Sequence, residues 1–239
     1  MSWEAFFQIH RGLDREGPGT PDDVHWALDQ IAPPARIFDA ACGPGADTHT
    51  LAAALPQAQI VAIDKQAQFI ADTQTRCVDF GARVTARTGD MFEASGPFNL
   101  IWCAGAVYFA GVRESLTRFG AMLVPDGTIA FSEPIAPGKA APKAAHDFWQ
   151  DYPALTDAAG IAEHIRAAGF TSVGTRLIKG AAWQNYYDPM QARITLLRAS
   201  DPDPELTAAL DENQREIDLW RAAPDHIAYQ LNVVQRDAG

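Results

Sequence analysis

The chain has no basic block. Its 19 Lys and Arg are scattered and stand against 30 acidic residues, a net charge of −11 over 239 residues. A surface of that sign repels phosphate backbones at long range, so no nucleic-acid partner is expected. Solubility accounts for the charge more simply than a cationic partner does. Long hydrophobic runs are missing too. None approaches the roughly 20 residues that a membrane-spanning helix needs, so no membrane partner is expected. The start, Met1-Ser2-Trp3-Glu4-Ala5, has no basic segment ahead of an apolar stretch, which argues against a signal peptide. Cysteine is scarce. Cys42, Cys77 and Cys103 are odd in number and far apart, so neither a disulfide framework nor paired metal-ligand spacing is present. Free thiols of this kind point to a reducing, cytoplasmic location.

What is there reads as an ordinary globular protein, 47% hydrophobic and 21% charged. The length suits one α/β domain over residues 1–239, with a helical N-terminal cover at 1–30 and insert or cover segments within 134–225. Apolar runs of strand length fall at 36–41, 59–64, 83–87, 98–103 and 128–132. Helix-period segments alternate with them at 46–55, 66–80 and 113–122, and a Pro-Asp-Gly turn follows at 125–127. That alternation predicts a parallel sheet with helices on both faces, joined by right-handed crossovers. Further on, 134–142 reads as a Pro/Gly/Ala loop, 157–168 and 204–220 as helices, and 173–178 and 227–234 as strands. There are no internal repeats.

The chemistry gathers at the first strand–helix turn. Asp39 closes the strand, and Gly43-Pro44-Gly45 leads into the next helix. Glycine there lets backbone approach a ligand, and the helix start offers unpaired N–H groups. Asp64 lies 21 residues after Gly43, at the end of the second strand, where a carboxylate can accept from both hydroxyls of a ribose. Together these features specify a nucleoside-type ligand at the carboxyl ends of the strands.

The run Ile37-Phe38-Asp39-Ala40-Ala41-Cys42-Gly43-Pro44-Gly45 resembles motif I of class I S-adenosylmethionine (SAM)-dependent methyltransferases. Asp64 matches the acidic ribose position, Gly89-Asp90-Met91 the segment beside the adenine, 98–103 the fourth-strand motif and 123–128 the turn before the fifth strand. The segments at 15–20, 104–108 and 183–187 resemble a bacterial "type 11" subgroup of small-molecule methyltransferases. The resemblance implies a doubly wound, Rossmann-like seven-stranded sheet of order 3-2-1-4-5-7-6, with strand 7 antiparallel. It also implies SAM as cofactor and a small-molecule methyl acceptor, and it leaves a homodimer open. Four departures matter. Ala41 stands where the family often has Gly, and Thr48 stands where a dinucleotide fingerprint has its third glycine. No Asn-Pro-Pro-Tyr or Asp-Pro-Pro-Tyr follows the fourth strand, which separates the chain from amino-group methylases of adenine or glutamine. Nor does an Asp there begin the metal triad of catechol-type enzymes, so no metal is expected.

On this resemblance, backbone from Ala41 through Gly43 to Gly45 holds the methionine end of the cofactor and Asp39 orients it. Asp64 binds the ribose, Lys65 flanks the adenine, Asp90 accepts from its amine, Met91 donates its N–H, and the Cys103 carbonyl faces the ammonium. Candidates for the acceptor pocket are Tyr108, Glu133, Trp149, Tyr152, Tyr186 and Tyr187, with His10 and Arg15 on an N-terminal segment placed to close over the site. No residue is singled out as catalytic. The competing readings are an NAD(P)-dependent oxidoreductase, disfavoured by the missing third glycine, and a non-catalytic SAM-fold binding protein.

Overall fold

The short apolar runs line up in one sheet. The computed structural model describes residues 2–152 and 154–237. Its strands are β1 (Arg36–Ala40), β2 (Gln59–Asp64), β3 (Val84–Thr88), β4 (Phe98–Ala104), β5 (Leu123–Ile135), β6 (Phe170–Ile178) and β7 (Ala228–Arg236). They lie in the order β3-β2-β1-β4-β5-β7-β6. The first five pair in parallel, while β7 runs antiparallel to both β5 and β6. This is the doubly wound arrangement expected, down to the reversed last strand.

Nine α-helices connect or cover the strands among the described residues. They are α1 (Trp3–His10), α2 (Pro21–Leu28), α3 (Ala46–Ala54), α4 (Ala67–Arg76), α5 (Val112–Gly120), α6 (Lys143–Phe148), α7 (Ala158–Ala167), α8 (Ala181–Arg198) and α9 (Pro204–Ala222). Alternation along each strand sends side chains to opposite faces, so two cores form. On one face Ile37, Leu100, Trp102, Leu231 and Val233 pack beneath Met190 and Ile194 of α8 and Leu210, Ile217 and Trp220 of α9. On the other, Phe38, Ile101, Phe131 and Val234 meet Leu116 and Phe119 of α5 and Ile161 and Ile165 of α7. Strands covered on both faces read as continuous apolar runs, which is why they stood out in the sequence.

Two local readings are corrected and one helix is added. The helix expected over 66–80 stops at Arg76, and a 3-10 turn spans Val78–Arg83, with Gly81 at a φ of 57°. The turn at 125–127 lies inside β5: the pairing steps from Phe98↔Leu123 to Leu100↔Thr128, so the intervening residues bulge from the ladder. The segment 181–198 is the long helix α8, which carries Pro189 in its interior. Proline normally breaks a helix, and that local signal conceals α8 until its buried face is seen.

Strand order reverses direction between β1 and β4. Crevices of this kind, outside the carboxyl ends of the strands, are where open α/β sheets bind ligands.

Candidate active site

After β1 the backbone takes three left-handed residues, Ala41 at φ 55°, Gly43 at φ 54° and Gly45 at φ 86°. Gly45 is the N-cap of α3 and offers no side-chain cap, so the helix start is left to bind something else. For Ala41 the left-handed conformation costs about 1–2 kcal/mol relative to glycine, the physical content of the Gly-to-Ala departure. The turn is held from below. Thr73 Oγ1 donates to the Gly43 carbonyl at 2.9 Å, and the Asp64 carboxylate accepts from Gly43 N at 3.0 Å and Gln66 N at 2.8 Å. Asp64 is raised above the ordinary carboxylate range by burial, against the pull of these backbone donors.

Asp39 is buried under the turn and accepts a hydrogen bond from Thr48 Oγ1. Thr48, noted in the sequence only as a missing glycine, is therefore the hydroxyl that ties α3 to the end of β1. Burial pushes Asp39 up to about 8, with Asp47 and Asp64 adding repulsion. The unfolded chain has lost this proton above its ordinary pKa of 3.8, while the folded protein keeps it to about 8, so stability falls as pH rises through that window. Asn keeps the acceptor for Thr48 without the charge. Asp39→Asn is therefore expected to melt higher than the native protein at about pH 8.5, by at least about 1 kcal/mol, with the gap closing below pH ~4. Thermal unfolding across that pH range checks it, and a gap that does not narrow in acid would remove buried ionisation as the cause.

Over the turn lies a cavity of about 910 Å³. Its lining brings together Asp39, Ala41, Gly43, Asp64, Lys65, Asp90 and Met91. His10, Arg15, Tyr108 and Tyr186 line the same cavity. Asp90 accepts from Phe92 N at 2.8 Å, which lowers its pKa, and pairs with Lys65 Nζ at 3.1 Å. Arg15 gives its guanidinium to Asp47 at 2.8 Å, and the other Asp47 oxygen accepts from Trp102 Nε1 at 3.0 Å. That bridge fastens the segment after α1 to the sheet.

The remaining predicted residues stand off the cavity wall. Gly45 packs against Thr73, and Cys103 is fully buried in β4, where burial drives its thiol pKa upward. Tyr187 is in the core and donates its hydroxyl to Glu216 at 2.7 Å. Trp149 and Tyr152 pack edge-to-face behind Tyr108, and Glu133 is buried near the end of β5. Sequence reasoning missed Phe6, Glu16, Phe69, Phe92 and Arg118, which also line the cavity. Glu16 Oε2 lies 2.5 Å from His10 Nδ1, and Phe6 stacks on the His10 ring at 3.9 Å. Burial raises Glu16, partly offset by His10. No local pattern announces these contacts, because α1 reaches the site only through the tertiary fold.

A glycine turn after β1, a carboxylate closing β2 and this strand order define an α/β protein built for a nucleoside-type ligand. Residues 37–127 match the family described as a methyltransferase domain. The structure of a SAM-dependent methyltransferase from Geobacter sulfurreducens, in complex with S-adenosyl-L-homocysteine, is similar at a TM-score of 0.82 and 19% identity, covering 98% of each chain. The chain is 35% identical over 71 residues to a release factor glutamine methyltransferase from Bordetella pertussis, covering 30% of this chain and 26% of the relative. It is 29% identical over 136 residues to a trans-aconitate 2-methyltransferase from Deinococcus radiodurans, covering 56% of this chain and 50% of the relative. The chain thus spans half or less of the curated relatives it matches. Residues 37–127 therefore resemble a methyltransferase domain, and the fold is the one seen in SAM-dependent methyltransferase structures.

Proposed function

We propose that the protein transfers a methyl group from SAM to a small-molecule acceptor. The carrying observation is the pairing of the left-handed turn with Asp64 on one wall of a cavity large enough for a nucleoside and a second molecule. The cavity fits the cofactor in charge as well as shape. Each Asp64 oxygen has one backbone donor and a lone pair left for a ribose hydroxyl. A Cβ built on Gly43 would meet nothing nearer than Glu16 Cγ at 3.8 Å, so that backbone is open to a ligand. Glu16 Oε1 is buried without a partner in the same wall, an acceptor suited to a cationic ligand.

Bound, the cofactor supplies a sulfonium-activated methyl group. The chain's part is to hold and to exclude water. The turn from Ala41 to Gly45 holds the methionine end, with Asp39 beneath it and the Cys103 carbonyl facing its ammonium. Asp64 fixes the ribose, while Lys65, Asp90 and Met91 frame the adenine. With α1 packed across the opening, alignment and desolvation supply most of the rate in an in-line displacement. The absence of a basic tract supports a small acceptor, and free thiols support a cytoplasmic setting. The whole chain acts as one domain in this reading, with 1–30 and 134–225 as cover.

Calorimetric titration with SAM, S-adenosylhomocysteine and NADPH tests the assignment. Micromolar binding of the two adenosyl ligands, with none of NADPH, is expected. The reverse pattern would return the oxidoreductase reading.

A further inference from the structure

A buried polar atom without a hydrogen-bond partner is costly, so each one calls for a reason. Among the described residues five side-chain atoms stand so: Glu16 Oε1, Glu133 Oε2 and the indole nitrogens of Trp149, Trp183 and Trp220. Of their residues, Glu16 alone lines the large cavity. It follows α1 and lies against the glycine turn, where a Cβ built on Gly43 would come 3.8 Å from Glu16 Cγ. Its second oxygen is already engaged, since Oε2 lies 2.5 Å from His10 Nδ1. The Phe6 ring stacks on that imidazole at 3.9 Å, so the pair is held from α1.

Charge points the same way. Among the described residues His10 is the one ionic partner of Glu16. Arg15 is held by Asp47, Lys65 by Asp90 and Arg76 by Asp14. Burial raises the Glu16 pKa, His10 draws it down, and the charges of Asp64 and Asp72 push it up again. A cation that also donates an N–H would satisfy Oε1 and offset that repulsion. SAM carries two cations, and only its α-ammonium has N–H groups to give; the sulfonium has none. With the ribose on Asp64 and the methionine end along Ala41 to Gly45, the ammonium falls at the turn beside Glu16. It brings three donors, so a bond to Glu16 is compatible with one to the Cys103 carbonyl.

Resting on the methyltransferase reading above, we propose that Glu16 is a cofactor-binding residue whose Oε1 accepts a hydrogen bond from the α-ammonium of SAM. Ala41, Gly43 and Gly45 offer that end of the ligand only backbone groups, and Glu16 adds the formal charge. The segment after α1 thus belongs to the cofactor site as well as to the cover over it.

The test titrates the full chain, by calorimetry, with S-adenosylhomocysteine and with its deaminated analogue, in which hydrogen replaces the α-amino group. For the native protein the analogue is expected to bind at least about tenfold more weakly. Glu16→Gln keeps the size and loses the charge. It should weaken S-adenosylhomocysteine by about tenfold and the analogue by less than about twofold, so that the ratio of the two affinities falls at least about fivefold. Glu16→Ala should lower the ratio at least as far. A fold disturbed by either substitution lowers both affinities together and leaves their ratio as it was, so the ratio reports the contact. Equal affinities in the native protein, or the native ratio kept in either variant, overturns the proposal. If S-adenosylhomocysteine does not bind the native protein at all, the cofactor reading falls and this proposal with it, an outcome the first titration sets apart.

Discussion

Replacing Asp64 by alanine is expected to weaken S-adenosylhomocysteine binding by about 100-fold or more. Two charge-assisted hydrogen bonds to ribose hydroxyls, at about 1.5 kcal/mol each, account for a loss of that size. The same carboxylate also accepts from Gly43 N and Gln66 N, so its removal releases the turn that receives the rest of the ligand. Asp64→Asn keeps acceptors without the charge and should fall between the two. Because burial already disfavours the ionised form, neither variant is expected to unfold the protein. Calorimetry beside a melting curve separates these effects. Affinity within about threefold of the native protein in a folded Asp64→Ala variant would refute the ribose assignment.

Gly45→Ala is expected to be strongly destabilising. A Cβ there would sit 2.7 Å from Thr73 Oγ1 and 2.9 Å from the Thr73 Cα, which is backbone and cannot swing aside. Left-handed φ for alanine adds about 1–2 kcal/mol, and forced displacement of α4 about 1–3 kcal/mol more. A loss of about 2–5 kcal/mol in chemical denaturation follows, together with cofactor affinity. The contrast with Ala41 is instructive. Both positions are left-handed, yet only Gly45 is pressed against a neighbouring helix. Stability within about 0.5 kcal/mol of the native protein would mean that α4 gives way freely.

The central sheet was legible in the residues because strands buried on both faces carry unbroken apolar runs bounded by Gly and Pro. The turn after β1 was legible for a related reason. Asp39 and Asp64 lie at the ends of β1 and β2, and Gly43 and Gly45 in the turn between β1 and α3, where local sequence and position in the fold coincide. The N-terminal side of the cavity was not. Glu16 and Phe6 reach the cavity through tertiary contacts, the buried Ala5, Ile9 and Leu13 and the Arg15–Asp47 pair among them, and no spacing rule encodes a contact between residues 32 apart. Thr48 shows a subtler limit. Measured against a glycine fingerprint it is an absence, whereas in space it is the hydrogen-bond donor that buried Asp39 requires. α8 was hidden by Pro189, whose local veto is overruled by the burial of Trp183, Tyr187, Met190 and Ile194 along one face.

The antiparallel strand β7 bears on how the molecule is made. It lies between β5 and β6, although it is the last of the three to be synthesised. While a ribosome is still translating α8 and α9, β5 presents an open sheet edge and β6 has no strand to pair with, and the hydrophobic residues meant for β7 to cover are bare. Such edges invite pairing with other nascent chains. The protein can therefore acquire the turn after β1 early, but its sheet closes only after Arg236 has cleared the exit tunnel.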